Sequence, residues 1–157
     1  MNRPRFDFEL VALKSLRAHE RIDPAKVDEL VAEFVASGVF ADPIWVARGS
    51  RVILNGHHRV AAMRRLGAER IPAWVLDYDD PAIALDRWTP GPPIPKAEVV
   101  RRARAGDLFP PKTTRHRLAV APPAHPTPMA ELLPAEGAHA RASRRSRSAG
   151  AAGGGAA

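Results

Sequence analysis

Hydrophobic residues recur along the first hundred residues with the spacings of strands and helices. Residues 8–14 alternate loosely between apolar and polar side chains, which predicts a strand. After Asp23 the apolar positions are three or four residues apart, as on one face of a helix: Val27, Leu30, Val31, Phe34 and Val35. Asp23 is a typical N-cap, Pro24 is favoured in the first turn, and Gly38 is a typical C-cap. The pattern predicts a helix between Pro24 and Gly38.

The middle of the chain predicts a hairpin, two more helices and another strand. Residues 44–47 and 51–54 are short apolar runs around a Gly-Ser pair, which favours a hairpin. Two stretches with helical spacing, VAAMRRL and AEVVRRARA, are each followed by a glycine that would end the helix. Residues 71–78 have the composition of a strand, whereas residues 79–95 are rich in proline and predict irregular structure.

From Leu118 onward the chain loses its apolar periodicity and consists mainly of Ala, Pro, Gly, Ser and Arg. A segment of this composition cannot bury enough apolar surface to offset the chain entropy lost on folding. We therefore predict one α+β domain over residues 1–117, followed by a disordered basic tail over residues 118–157.

The amino-acid composition of the chain excludes several classes of function. The chain of 157 residues contains no cysteine, which excludes disulfides, thiolate metal ligands and thiol catalysis. No apolar run has the length of a signal-peptide core or a membrane span, so we expect a cytoplasmic protein without a membrane partner. With 24 Lys and Arg against 17 Asp and Glu, the net charge is +7. This surplus favours partners that carry phosphates, either nucleotides or nucleic acids.

The segment LNGHHR, residues 54–59, joins a predicted strand to the start of a predicted helix. Free amides and the positive end of the helix dipole attract an anion at such a position. Gly56 lets the backbone approach an oxygen closely, and Arg59 can add a forked, permanently charged contact. A bare G-x-x-R pattern is more typical of a plain turn than of a phosphate site, but the strand, loop and helix around it favour a phosphate site.

The segment also resembles the phosphate loop of the ParB/sulfiredoxin superfamily, and the resemblance extends from about Leu10 to Tyr78. It covers VALKSLRAHERIDPAKVDELVAEFVASGVFADPIWV and then RVILNGHHRVAAMRRLGAERIPAWVLDY. The resemblance implies a small mixed sheet with packed helices and a G-x-x-R loop that holds nucleotide phosphates at a helix start. The residues of that loop would be Gly56, His57, His58 and Arg59.

Three activities occur on the fold that the resemblance implies: sulfinic acid repair, nucleotide-gated DNA binding and phosphorylation of free serine. Sulfinic acid repair depends on a cysteine in the phosphate loop, where this chain has His57, so that activity is excluded. ParB partition proteins read DNA with a helix-turn-helix after the nucleotide domain, but residues 79–117 predict one convincing helix. A ParB-like nucleotide-binding regulator that contacts DNA through the basic tail stays the alternative.

The free serine kinases resemble this chain at three separate places. His19-Glu20 lies where the kinases have a catalytic glutamate, GHHR matches their phosphate loop, and LFPPKTTRH at 108–116 matches their C-terminal signature. The resemblance implies transfer of a phosphoryl group from ADP or ATP to the hydroxyl of free L-serine, with Glu20 as general base. On local sequence alone, Glu20 has the pattern of a solvated loop acid.

Hydroxyls and cations cluster in the C-terminal signature, a combination that suits a zwitterionic amino acid. The cluster consists of Lys112, Thr113, Thr114, Arg115 and His116. Such a segment is also typical of a polar strand end. Trp88, in DRWTP, resembles a tryptophan in the substrate pocket of the kinases, although an isolated tryptophan more often serves in packing. We expect Trp88 and the cluster to bind the amino acid.

Two departures from the kinases concern the metal and the substrate pocket. The kinases usually have Asp where this chain has Asn55, and a neutral amide is a poorer Mg²⁺ ligand than a carboxylate. Mg²⁺ is expected as a cofactor, held either by Asn55 or mainly by the phosphates of the donor and by water. The long insertion that precedes the final signature in better-known kinases is nearly absent. A third possibility is therefore a domain that binds a nucleotide without turnover.

Overall fold

The structure, a computed structural model, describes residues 4–134, which form eight strands, four α-helices and one 3₁₀ helix (Leu13–Ser15). The strands are β1 (Asp7–Ala12), β2 (Val39–Phe40), β3 (Ile44–Ala47), β4 (Ile53–Asn55), β5 (Arg70–Leu76), β6 (Ile83–Arg87), β7 (Thr114–Leu118) and β8 (Thr127–Pro128). The helices are α1 (Pro24–Ser37), α2 (His57–Arg65), α3 (Lys96–Ala105) and α4 (Met129–Leu132).

A four-stranded mixed sheet with the order β1-β5-β3-β4 lies at the centre of the domain. Strands β1 and β5 pair antiparallel, β5 and β3 pair parallel, and β3 and β4 form the predicted hairpin. Six of the seven residues of β5 are buried, because this inner strand has packed layers on both of its faces. Two further pairs of strands, β6-β7 and β2-β8, lie outside this sheet.

Each face of the central sheet packs against its own apolar layer. One layer contains side chains of α1, α2 and α4, for example Val27, Met63 and Leu132. The other contains side chains of α3 and β6, together with Phe109 from the C-terminal signature. Phe109 thereby anchors the C-terminal signature against the sheet.

The predicted α+β class and the three predicted helices are confirmed. The Asp23 side chain accepts a hydrogen bond from the amide of Ala25 at 3.0 Å, and Gly38 ends α1 with a φ of 69°. Gly106 ends α3 in the same left-handed conformation, with a φ of 71°. In residues 4–134 no helix is long and apolar enough to cross a membrane.

The structure differs from the sequence-based expectation in two segments. Residues 79–95 contain strand β6, which forms because it pairs antiparallel with β7 about thirty residues later. The ordered part of the chain also continues beyond residue 117, where the sequence predicts the end of the domain. Strand β8 pairs with β2, and Met129 and Leu132 are buried in the core, with 4% and 7% of their surfaces exposed. The rest of the predicted tail, residues 135–157, lies outside the described residues.

Candidate active site

A cleft of about 880 Å³ opens between the loop before α1, the start of α2 and the segment that leads into β7. All the residues predicted for the site line this cleft except Thr113. The fold therefore brings together three segments that are far apart in sequence: residues 20–26, 54–59 and 111–116.

The carboxylate of Glu20 is held by the backbone of the C-terminal signature. Its Oε1 accepts hydrogen bonds from the amides of Thr113 and Thr114, at 3.1 and 2.7 Å, and from the Thr114 hydroxyl at 2.7 Å. Its Oε2 accepts one from the amide of Lys112 at 3.2 Å. Three successive amides reach one carboxylate because Lys112 is left-handed, with a φ of 58°. The acceptor capacity of Oε1 is filled, whereas Oε2 can accept another hydrogen bond.

Backbone pairing fixes the loop that carries Glu20. The amide of Phe109 donates to the carbonyl of His19 at 2.8 Å, and the amide of Arg21 donates to the carbonyl of Phe109 at 2.9 Å. Phe109 is itself buried, with 6% of its surface exposed. Glu20 is thus fastened at its backbone as well as at its carboxylate, and 9% of its surface is exposed. A solvated loop acid would have neither restraint.

The start of α2 accepts only a glycine at position 56. Gly56 has a φ of 116°, and a Cβ there would lie 2.4 Å from Cγ2 of Ile44 and 2.9 Å from its Cβ. Among the described residues no side chain caps the first turn of α2, so its leading amides lack a side-chain acceptor. Together with the helix dipole, these amides make a place for an anion at the cleft.

The two histidines of GHHR contact the backbone rather than the cleft through their Nε2 atoms. His57 Nε2 accepts a hydrogen bond from the amide of His19 at 3.1 Å, and His58 Nε2 accepts one from the amide of Asp23 at 2.9 Å. Burial lowers the pKa of both imidazoles, that of His57 to well below its usual range. Both rings are therefore neutral near pH 7, and they fasten the Glu20 loop to α2. Their contact with phosphates stays a prediction.

Arg59 is the cation of the loop, and it is anchored at the edge of the cleft. Its Nη1 donates to the carbonyl of Asp42, and its Nη2 lies 3.4 Å from Oδ1 of Asn55. These contacts set the plane of the guanidinium, which carries five N–H donors in all. Donors beyond these two contacts are available to an anion in the cleft.

The side chains around the cleft do not fit a metal held by the protein. The oxygen of Asn55 faces the guanidinium of Arg59, which would repel a cation. The carboxylate of Asp23 caps α1, and that of Glu20 already accepts four hydrogen bonds. Over residues 4–134, no group of three or more His, Cys, Asp or Glu could hold a metal ion. The expected role of Asn55 as a Mg²⁺ ligand therefore lacks support from its surroundings.

The wall formed by β7 and Trp88 carries the remaining predicted residues. Trp88 has 56% of its surface exposed, and the guanidinium of Arg115 lies 4.5 Å from the centre of its ring. His116 is buried, its Nε2 is 2.8 Å from the hydroxyl of Tyr78, and burial lowers its pKa to about 3. His116 is consequently neutral, which leaves Lys112 and Arg115 as the cations of this wall.

Lys26 and Tyr78 belong to the site although the sequence analysis did not single them out for it. Lys26 lines the cleft from the first turn of α1. A cation there opposes the helix dipole, and this unfavourable position is the signal that could have identified it. Tyr78 reaches the site only through its hydrogen bond to His116, and local sequence carries no signal for such a contact.

Relatives with assigned activities resemble this chain in sequence. The ADP-dependent L-serine kinase SerK of Thermococcus kodakarensis is 28% identical over 108 residues, which are 66% of this chain and 45% of the relative. The ATP-dependent L-serine kinase of Staphylothermus marinus is 33% identical over 85 residues, which are 52% of this chain and 34% of the relative. The chain thus spans less than half the length of these curated relatives.

A solved structure and a family model agree with the fold described above. A variant of a free serine kinase in complex with AMP superposes with a TM-score of 0.72 over 85% of this chain and 96% of that one, at 18% identity. At this identity the likeness shows the fold alone. The model of the ParB N-terminal domain matches residues 6–86, more than half of the chain. This chain therefore belongs to the family of the ParB N-terminal domain.

Proposed function

We propose that this protein transfers the terminal phosphoryl group of ADP or ATP to the hydroxyl of free L-serine, giving O-phospho-L-serine. The observation that carries the proposal is the convergence of Glu20, the phosphate loop and the C-terminal signature on one cleft. The two relatives named above, an ADP-dependent and an ATP-dependent L-serine kinase, support the same reaction. We expect the reaction to take place in the cytoplasm.

The donor nucleotide binds with its phosphates at the start of α2. The amides of the first turn and the guanidinium of Arg59 would contact phosphate oxygens, and Gly56 permits their close approach. Lys26 lines the same cleft and adds positive charge to it. Positioning and charge neutralisation are the main requirements of phosphoryl transfer, because the protein has little covalent chemistry to perform.

Glu20 deprotonates the serine hydroxyl through Oε2, the oxygen with remaining acceptor capacity. As the serine oxygen forms a bond to the terminal phosphorus, the bond from that phosphorus to the bridging oxygen breaks. The leaving nucleotide is AMP when ADP is the donor and ADP when ATP is the donor. The proton of the hydroxyl ends on Glu20 and then passes to solvent.

The charged groups of serine are matched by the wall around β7. Lys112 and Arg115 would bind its carboxylate, and Trp88 would cover its apolar edge. The hydroxyls of Thr113 and Thr114 have partners within the protein, at Pro110 and Glu20 respectively. We therefore assign these two threonines and His116 to the architecture of the pocket rather than to direct contact with serine.

We expect Mg²⁺ to bind together with the nucleotide. Because the side chains of the cleft do not form a protein-held metal site, the ligands of the cation would be phosphate oxygens and water. Asn55 would contribute through its contact with Arg59 instead of through the metal.

DNA binding is the less favoured function. A helix-turn-helix requires two helices of adequate length, whereas residues 88–134 contain α3 and the four-residue α4. The basic tail that would carry nonspecific DNA contacts falls in residues 135–157, outside the described part. The observations within residues 4–134 thus support an enzyme of small substrates.

The direct test is an assay of the wild-type protein with L-serine, Mg²⁺ and either ADP or ATP. We expect phosphoserine from at least one donor, detected by mass spectrometry together with AMP or ADP. D-serine and L-threonine serve as comparison substrates. Nucleotide binding without phosphoserine from either donor would replace the proposal with a domain that binds a nucleotide and does not turn over.

Replacing Arg59 by Ala should weaken ADP and ATP binding by about ten- to a hundredfold, because a charge-assisted contact to phosphate is lost. Calorimetric titration measures the affinity. Arg104→Ala, on the exposed side of α3, is the matched control and should leave the affinity unchanged. Equal affinities for both variants would mean that the loop is only a structural turn.

Replacing Thr114 by Val should lower the free energy of unfolding by about 1 to 3 kcal/mol, since buried partners at His19 and Glu20 lose a hydrogen bond. The kcat/KM for serine should fall about tenfold or more as Glu20 loses its alignment. Thr113→Val is the control, because the Thr113 hydroxyl bonds only the carbonyl of Pro110 at an exposed position. Similar losses from both changes would contradict the assignment.

A further inference from the structure

His19 is a buried polar residue for which the mechanism above has no use. None of its surface is exposed, and it directly precedes Glu20. Its Nε2 lies 2.8 Å from the hydroxyl oxygen of Thr114, and the same hydroxyl lies 2.7 Å from Oε1 of Glu20. An imidazole, a hydroxyl and a carboxylate are therefore joined by two consecutive hydrogen bonds inside the protein.

The number of protons on these three groups fixes the direction of the two hydrogen bonds between them. The Thr114 hydroxyl has one proton and two polar neighbours, and the ionised carboxylate of Glu20 can only accept. The hydroxyl proton must then lie towards Glu20, so the Thr114 oxygen accepts from His19. This requires the proton of the His19 ring to be on Nε2.

The surroundings of His19 keep the imidazole neutral and in place. Burial lowers its pKa to about 4, more than a hydrogen bond with the backbone of Ile53 raises it, so the ring has one proton at neutral pH. The ring of His57 meets it edge to face at a centroid distance of 4.5 Å, and Phe109 lies on another side at 6.3 Å. Its backbone amide donates to His57. The ring thus has little freedom to turn away from Thr114.

We propose that His19 is a positioning residue that sets which oxygen of Glu20 takes the proton of the substrate. By donating from Nε2 to Thr114, it holds the threonine hydroxyl in the orientation that donates to Oε1, which then has three donors. Oε2, with one backbone donor, is left as the acceptor that faces the reaction. The part about the reaction rests on the proposed function, whereas the direction of the hydrogen bonds does not.

The direction is tested on the wild-type protein without any assay of activity. Long-range ¹⁵N–¹H NMR spectra distinguish a protonated from an unprotonated ring nitrogen, and His19→Gln identifies the His19 signals by their loss. At neutral pH we expect the proton of His19 on Nε2. A proton on Nδ1 would overturn the proposal, whatever the protein catalyses.

The consequence for the reaction is tested by two substitutions of His19. Gln can place an amide donor near the position of Nε2, whereas Leu cannot donate. We expect His19→Leu to lower kcat about tenfold or more, and His19→Gln to restore it to within about threefold of wild type. In both variants the KM for serine and the affinity for ADP should stay within about twofold of wild type.

A double-mutant cycle separates positioning from general support of the fold. In a Thr114→Val background, His19→Leu should cause little further loss of kcat, because the hydrogen bond that it removes is already absent. Additive losses, or a failure of Gln to restore kcat, would overturn the proposal. If the wild type makes no phosphoserine, the proposed function fails, and the NMR result still decides the direction of the hydrogen bonds.

Discussion

Glu20→Gln should lower turnover about 10²- to 10⁴-fold, since it removes the base while keeping the shape of the side chain. The expected loss is specific to the chemical step, so the affinity for ADP and ATP should be unchanged. The measurement is the rate of phosphoserine formation at saturating substrates, together with calorimetry of the nucleotide. Gln is preferable to Ala, because Ala would remove all four hydrogen bonds that hold the C-terminal signature.

The structure also predicts a cost of this substitution outside catalysis. The Gln oxygen can replace Oε1 as acceptor for Thr113 and Thr114, but its amide group would then face the amide of Lys112. We expect a loss of about 1 to 3 kcal/mol in the free energy of unfolding from this donor–donor contact. Thermal unfolding of the variant measures it. Near-normal turnover in a folded Glu20→Gln protein would show that Glu20 is not the base. Its role would then be structural, to hold the C-terminal signature in place.

Gly56→Ala should be the most destabilising single change in the phosphate loop. The new Cβ would meet Ile44 at 2.4 and 2.9 Å, both inside any normal contact, on a backbone with a φ of 116°. Ile44 is fully buried in the central sheet and cannot move aside. Strain and overpacking together should cost about 2 to 6 kcal/mol. We expect Tm to fall by about 10 °C or more.

Gly38→Ala is the matched control for this change. Gly38 has a φ of 69°, but a Cβ there would have nothing within 4 Å. Its cost should be limited to the left-handed conformation, about 1 to 2 kcal/mol. If both variants lose the same stability, the close approach of Ile44 does not constrain the loop. If Gly56→Ala remains folded, its ADP affinity should still be reduced, because the first turn of α2 must shift.

The sequence by itself determined the features that depend on neighbouring residues. The cap at Asp23, the apolar face of α1 and the stop at Gly38 were predicted and are present. The strand, glycine and helix around residue 56 were likewise predicted as one unit. These features follow from backbone preference and local periodicity, which act over a few residues and are written directly in the order of the side chains.

Segments whose structure depends on a distant partner were predicted poorly. Strand β6 has a weak pattern of its own, and it exists because β7 supplies its hydrogen bonds. Met129 and Leu132 are two buried side chains in an otherwise low-complexity stretch, where a compositional argument does not detect them. A few apolar anchors can order a short segment when a preformed core receives them, and local composition contains no information about that core.

Only the tertiary structure decided what each residue of the candidate site contacts. Glu20 and Thr114 are 94 residues apart in sequence, yet one hydroxyl and three amides converge on the carboxylate. In the fold the histidines of GHHR accept hydrogen bonds from the loop that carries Glu20, a contact that the sequence did not predict, and their binding of phosphate stays a prediction. The residue types indicated the chemistry of the site. Their roles depend on which donors and acceptors the packing leaves unpaired, and that is a property of the folded chain alone.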